Sequence, residues 1–232
     1  MTLAICMRNV SKSYKKARQY AVPVLHGLNL DVQQGDFLAL MGPSGSGKTT
    51  ILNLMGGIDR PDSGEVVVED RHLEGLSSDQ LGEWRSRSVG FVFQSYNLIP
   101  ILSAEANVEL PLLLTKLSRT ERRARVAMAL NIVGLSERSS HKPGQMSGGQ
   151  QQRVGIARAI IADPLLLLCD EPTGDLDRAT ADEILLLLKG LNQTQGKTIV
   201  MVTHDQKAAD YATRQLSFDK GELVERAIDQ ST

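Results

Sequence analysis

The sequence predicts an α/β fold: a parallel-sheet core interrupted by a mostly helical insert. Three observations carry the prediction. Two continuous apolar runs, residues 165–169 and 198–203, read as strands buried on both faces, the pattern of a parallel sheet covered by helices. A third run, 37–41, leads straight into a glycine-rich loop, which opens a helical stretch, 48–55. Between about 73 and 164 helix-start signals dominate, and this interval is the insert.

The elements follow in order. Alternation at Leu28, Leu30 and Val32 reads as a strand, closed by the turn residues Gln34, Gly35 and Asp36 before the run 37–41. After the helix 48–55, a Gly/Asp/Pro/Ser-rich turn, 56–64, precedes a strand at 65–68. Inside the insert, Ser77 with Gln80 and Ser118 with Glu121 have the spacing in which each side chain satisfies the other residue's free N–H at a helix start. Ser147 with Gln150 has it too, opening a helix over 150–162. Thr180 with Glu183 is read the same way, as the start of a helix running to about 195 between the last two buried strands. No internal repeat is present, and only 227–232 reads as a loose tail.

Composition narrows the function classes. The 232 residues hold 26 Lys+Arg against 27 Asp+Glu, a net charge of −1, which argues against nucleic-acid binding by bulk electrostatics. With 41% hydrophobic residues the chain has the material for one domain, or one with a subdomain. No apolar stretch approaches the roughly 18 to 20 residues that span a bilayer, and the opening residues place a short apolar piece before a basic cluster, the reverse of a secretory signal. A cytoplasmic location is the expectation. Cys6 and Cys169 form neither a metal-ligand pair nor a disulfide framework, and Cys169 is expected as an inert buried thiol. His26, His72 and His141 are read as surface or half-buried. Lys12, Lys15, Lys16 and Arg18 are read as a solvated loop, and Arg119, Arg122, Arg123 and Arg125 as the wet face of a helix.

Chemistry concentrates in three places. Gly42-Pro43-Ser44-Gly45-Ser46-Gly47-Lys48-Thr49 fits G-x-x-x-x-G-K-[ST] between a strand and a helix. Glycines there let backbone N–H groups turn toward phosphate oxygens, the helix start adds partial positive charge, Lys48 reaches the β/γ-phosphates, and Thr49 offers its hydroxyl to Mg²⁺. The second place is the end of the run 165–169, where Asp170 supplies a metal-side carboxylate and Glu171 a base to polarise a water for in-line attack. The third is Ser147-Gly148-Gly149-Gln150. A helix cap alone does not call for two glycines in a first turn, each costing up to about 1 kcal/mol relative to Ala. Close approach of backbone to an anion would explain them, making this helix start a second phosphate site.

With Met146, that stretch resembles the L-S-G-G-Q signature of the nucleotide-binding subunits of ATP-binding-cassette transporters, with Met for Leu. The resemblance covers about residues 5–226. It implies a phosphate-loop NTPase (RecA-like) core with a parallel sheet, an antiparallel β part and a helical subdomain, divided as core about 1–90 and 164–226 and subdomain about 95–163. It also implies ATP and Mg²⁺ as ligands and a head-to-tail dimer with two composite sites, in which Ser147, Gly148, Gly149 and Gln150 of one subunit close on the ATP held by the phosphate loop, through Thr50, of the other. Residue by residue, Tyr14 matches the aromatic that stacks on adenine, and Gln94 matches the glutamine that touches Mg²⁺ and the attacking water. Asp177 matches a dimer-contacting aspartate and His204 the switch histidine on the γ-phosphate.

The segments Phe91 to Pro100, Asn107 to Pro111 and Asp170 to Asp177 are similar to the LolD/MacB/FtsE-like group, although Ala106 stands where Glu is frequent before Asn-Val. That likeness implies integral membrane permease subunits docking near Gln94 to Pro111, with the chain peripheral on the inner face of the plasma membrane, and export or lipoprotein release as the work. An FtsE-like regulator of an extracytoplasmic enzyme is the alternative. A DNA-associated ATPase of the same superfamily inserts a long coiled coil between phosphate loop and signature, and the 99 positions from Lys48 to Ser147 (147 − 48) leave no room for one. Translation-type cassette proteins carry two cassettes per chain, and a small-molecule kinase has no need of Ser147 to Gln150 or His204.

Overall fold

The structure is a computed structural model and describes residues 2–16, 20–219 and 222–226. Arg18 of the basic cluster and the tail 227–232 lie outside the described residues. The chain opens with two long strands, β1 (Leu3–Lys16) and β2 (Tyr20–Gln33), then β3 (Phe37–Met41) and helix α1 (Lys48–Met55). Next come β4 (Ser63–Val68), β5 (Arg71–His72), α2 (Ser78–Ser88) and β6 (Val89–Phe93). The helical part holds α3 (Ala104–Glu109), α4 (Arg119–Ile132) and α5 (Gly148–Ile160). The chain then returns through β7 (Leu166–Asp170), α6 (Arg178–Gln195), β8 (Thr198–Thr203), α7 (Gln206–Ala209), β9 (Arg214–Asp219) and β10 (Glu222–Arg226).

Two sheets result. One is antiparallel, in the order β2-β1-β4-β5; the other runs β10-β9-β3-β8-β7-β6, parallel throughout except where β10 pairs with β9. β3 shows why the core strands read as continuous apolar runs. Phe37, Ala39 and Met41 enter the core shared with α3 to α6, while Leu38 and Leu40 enter the core shared with α1 and the antiparallel sheet.

Several expectations need correction. The interval read as a helical insert contains β6, the edge strand of the parallel sheet. The helix read as starting at Thr180 starts at Arg178, and its cap is Asp177, whose carboxylate accepts from the Thr180 amide at 3.1 Å and its hydroxyl at 2.6 Å. An aspartate caps better than a threonine three residues inside the helix, where the threonine's own N–H is the group needing a partner. The helix after Ser147 begins at Gly148, so Gln150 is its third residue and completes the box with Ser147. Lys12 is not on a solvated loop: it lies within β1, 9% exposed, with its ammonium on Asp59 and the Arg60 carbonyl. Arg122 leaves the wet face of α4 to bond Glu109 at 2.8 Å. The boxes at Ser77 and Ser118 form as read.

Candidate functional site

The ends of β3, β7 and β8 lie side by side, since Met41 pairs with Thr203 and Asp170 with Val202. This carboxyl edge of a parallel sheet is where open α/β folds place ligands. From β3 the chain enters residues 42–47. A Cβ on Gly42 would fall 2.1 Å from the Phe218 carbonyl oxygen of β9, and Gly47, at φ +107°, has Val24 on its Cβ side at 2.6 Å. Only glycine fits this path, which delivers α1 with its first N–H groups uncapped by any side chain and no acidic residue in its first turn.

Lys48 is buried and folds back, its Nζ donating to the carbonyls of Gly42 and Pro43, each at 2.8 Å. Burial pushes its ammonium below the ordinary value, and the Glu171 and Asp170 carboxylates pull the other way. The Thr49 hydroxyl donates to Asp170 Oδ1 at 3.2 Å, across from α1 to the end of β7. Burial raises the Asp170 carboxyl; the Thr49 bond opposes this, Glu171 adds to it, and Lys48 opposes it. Glu171 follows in the left-handed region, φ +49°, its amide on the Val202 carbonyl and its Oε2 2.6 Å from His204 Nδ1. Sequence thus placed five residues, Lys48, Thr49, Asp170, Glu171 and His204, that the fold gathers at one edge.

The residues present fit a nucleotide and its metal. Ser46 Oγ is buried and, among the described residues, has no hydrogen-bond partner, an orphan donor inside the loop whose cost a phosphate oxygen would remove. Among the described residues no group of three or more His, Cys, Asp or Glu converges on a metal position. A hydroxyl and one carboxylate suit Mg²⁺, which takes oxygen ligands, usually keeps several waters and uses substrate phosphates.

Of the other candidates, Gln94 follows β6, whose Phe93 pairs with Asp170, so it stands at the same sheet edge. The Gln94 amide donates to Asp175 Oδ1 at 2.8 Å, on the loop after Glu171. Among the described residues, the Ser147 to Gln150 stretch makes no hydrogen bond with the phosphate loop, and Ser147 is exposed. Its glycines have a reason of their own. A Cβ on Gly149 would meet Thr180 Cγ2 at 2.2 Å, and one on Gly148 would meet the Tyr96 hydroxyl at 2.7 Å. Close packing of α5 on α6 and on the Gln94 loop therefore asks for glycine as an anion would. Asp177 is committed to capping α6, and the Tyr14 hydroxyl donates to Asp59 Oδ2 at 2.7 Å.

Sequence reading missed Gln152 and Arg158. Gln152 is wholly buried in α5, and its amide reaches the carbonyls of Phe93 at 3.2 Å and Pro172 at 2.5 Å, so one side chain ties α5 to the loops bearing Gln94 and Asp175. Arg158 holds the Tyr96 and Asn97 carbonyls, at 2.8 and 2.5 Å, where both residues take positive φ. A glutamine or arginine on an apolar helix face is the one sequence signal for such ties.

Comparison with known proteins matches residues 25–174 to the ABC transporter family. The macrolide export ATP-binding/permease protein MacB of Marinobacter nauticus is 45% identical over 94% of this chain and 34% of its own length. The lipoprotein-releasing system ATP-binding protein LolD of Chromohalobacter salexigens is 45% identical over 94% of this chain and 92% of its own. Among solved structures, the dimeric post-hydrolysis state of the ATP-binding cassette MJ0796 of Methanocaldococcus jannaschii, bound to ADP and phosphate, superposes with a TM-score of 0.89 at 42% identity, covering 98% of this chain and all of that one.

Proposed function

This chain belongs to the ABC transporter family and is an ATP-binding ATPase, and from that premise we propose that it powers a membrane complex through a head-to-tail dimer with two composite ATP sites. One observation carries the reading: Lys48, Thr49, Asp170, Glu171 and His204 meet at one sheet edge, while Ser147 stands exposed and unconnected to them. A helix start of this kind, useless to its own phosphate loop, suits the loop of a second copy. The dimeric MJ0796 cassette holding ADP and phosphate supports that arrangement.

In the proposed cycle Lys48 and the amides of 45–49 bind the β- and γ-phosphates, and Thr49 and Asp170 would hold Mg²⁺, which when bound would supply neutralisation of charge on the phosphoryl group. Glu171 takes the proton of the attacking water, and its bond to His204 holds the carboxylate in one orientation. Gln94 stands between this site and the helical part, with Tyr14 as the platform for adenine. Core about 1–90 and 164–226 and subdomain about 95–163 are the proposed moving bodies.

The work is proposed to be MacB-like export or LolD-like lipoprotein release, from the cytoplasmic face of the membrane. No helix among the described residues is long and apolar enough to cross a membrane, so the path for cargo would belong to permease subunits. A groove beside the Gln94 loop, lined by Arg85, Phe91, Phe93, Asn97, Pro111 and Leu114, supports docking there; Leu114 is 82% exposed.

Glu171→Gln tests the proposal. Turnover should fall about 10²- to 10⁴-fold while ATP binding persists and an ATP-dependent dimer accumulates in size-exclusion chromatography. Hydrolysis near the wild-type rate, or a monomer at saturating ATP, would overturn it.

A further inference from the structure

We infer that Asp59 is a positioning residue for nucleotide binding: it holds the Tyr14 ring at a set distance from the phosphate loop, so that base and phosphates are gripped by one rigid unit. This rests on the reading of Tyr14 as the adenine platform. The geometry is a four-way junction. Asp59 Oδ2 accepts from the Tyr14 hydroxyl at 2.7 Å, and Oδ1 accepts from Lys12 Nζ and from the Arg60 amide, both at 2.7 Å. Nearby, Asp62 Oδ2 accepts from the Ser13 amide at 2.7 Å, so residues 11–14 of β1 are stitched to residues 59–62.

Residues 59–62 follow α1 directly. The amides of Ile58 and Asp59 both bond the Asn53 carbonyl within α1, at 2.9 and 3.2 Å. Asp59 is therefore fixed to the helix whose first residues are Lys48 and Thr49, and through Asp59 so is Tyr14. Tyr14 is 40% exposed, and Lys12 Nζ sits over one face of its ring, 5.2 Å from the centroid. A base stacks on the other face, opposite a cation that cannot drift because Asp59 and the Arg60 carbonyl hold it. Burial would raise the Asp59 carboxyl, but hydrogen bonds from Lys12, Tyr14 and the Arg60 amide hold it below its ordinary value, as a carboxylate that binds three donors requires.

ADP and pyrophosphate separate the base from the phosphates. Calorimetric titration of the full chain should show Asp59→Ala and Tyr14→Phe each weakening ADP about threefold to tenfold, with pyrophosphate unchanged. The double variant should be no weaker than the weaker single one, because both remove the same tether. Asp59→Asn, close in volume and keeping one acceptor oxygen, gives the same split in a fold more certain to form. Equal losses for ADP and pyrophosphate would overturn the inference, since a damaged cradle loses both. Tyr14→Ala separates the two layers. If it weakens ADP while Asp59→Ala and Asp59→Asn do not, the positioning role fails and the platform stands. If Tyr14→Ala leaves ADP binding intact, the platform reading fails and the inference falls with it.

Discussion

Two helix starts in this chain are built from serine and glycine, and they solve opposite problems. At α1 the residue before the helix is Gly47, and among the described residues no side chain caps the first N–H groups and the buried Ser46 hydroxyl beside them lacks a partner. At α5 the residue before the helix is Ser147, and its hydroxyl and the Gln150 side chain satisfy each other's backbone amides. The first start is left electrostatically open, which costs stability unless an anion arrives. The second is closed and stable without one. In the proposed dimer this one respect would separate the start that holds nucleotide from the start that engages only when a partner closes upon it, although their sequences look alike.

The comparison breaks if the two starts respond alike to truncation. Lys48→Ala should weaken ADP binding by a single chain about tenfold to a hundredfold, the loss of charge-assisted hydrogen bonds. Ser147→Ala should leave that affinity within about twofold and instead lower stability by about 1 kcal/mol, the usual cost of a lost cap. Equal losses in calorimetry would refute the distinction.

Packing at the second start sharpens it further. Gly149→Ala should destabilise the chain by about 1–3 kcal/mol in urea unfolding, because its Cβ would overlap the stiff Thr180 side chain. Thr180→Ser in the same chain removes Cγ2 and should restore most of the loss. Failure of that rescue would return the glycine to an anion-binding explanation.

The smallest effect is electrostatic. Burial raises the Asp170 carboxyl in the folded chain, so the folded state holds its proton more tightly than the unfolded state. Wild-type stability is therefore taxed as pH rises from the ordinary carboxylate value through the raised one, and the tax is constant above that. Asp170→Asn, with a chelator present, should raise Tm at neutral pH, with a gap over wild type that vanishes in acid. A gap that narrows with rising pH would contradict this.

The core strands and Lys48, Thr49, Asp170 and Glu171 were legible because their causes are local, whereas His204 came only from the family resemblance. A strand buried on both faces must be apolar throughout, and a loop whose backbone faces phosphate must be rich in glycine. What escaped reading depends on distant partners. Lys12 looked solvated because nothing nearby in sequence announces Asp59, which reaches it only when β1 packs on the turn after α1. Thr180 matched a capping box by spacing, yet Asp177 took the cap from three residues before it. Gln152 carries no motif of its own, and its value lies in touching two loops at once.

The wall against which the phosphate loop is shaped has a consequence for how the chain is made. Gly42 and Gly47 lie against Phe218, in β9, far along the chain from the loop itself. The loop's residues are synthesised early, but the surface that gives them their curve arrives late. Closing so long a loop is slow relative to local folding. Until β9 joins the sheet the complete motif stands without its cradle, and nucleotide should act on folding only after that step, as a ligand that captures the assembled sheet.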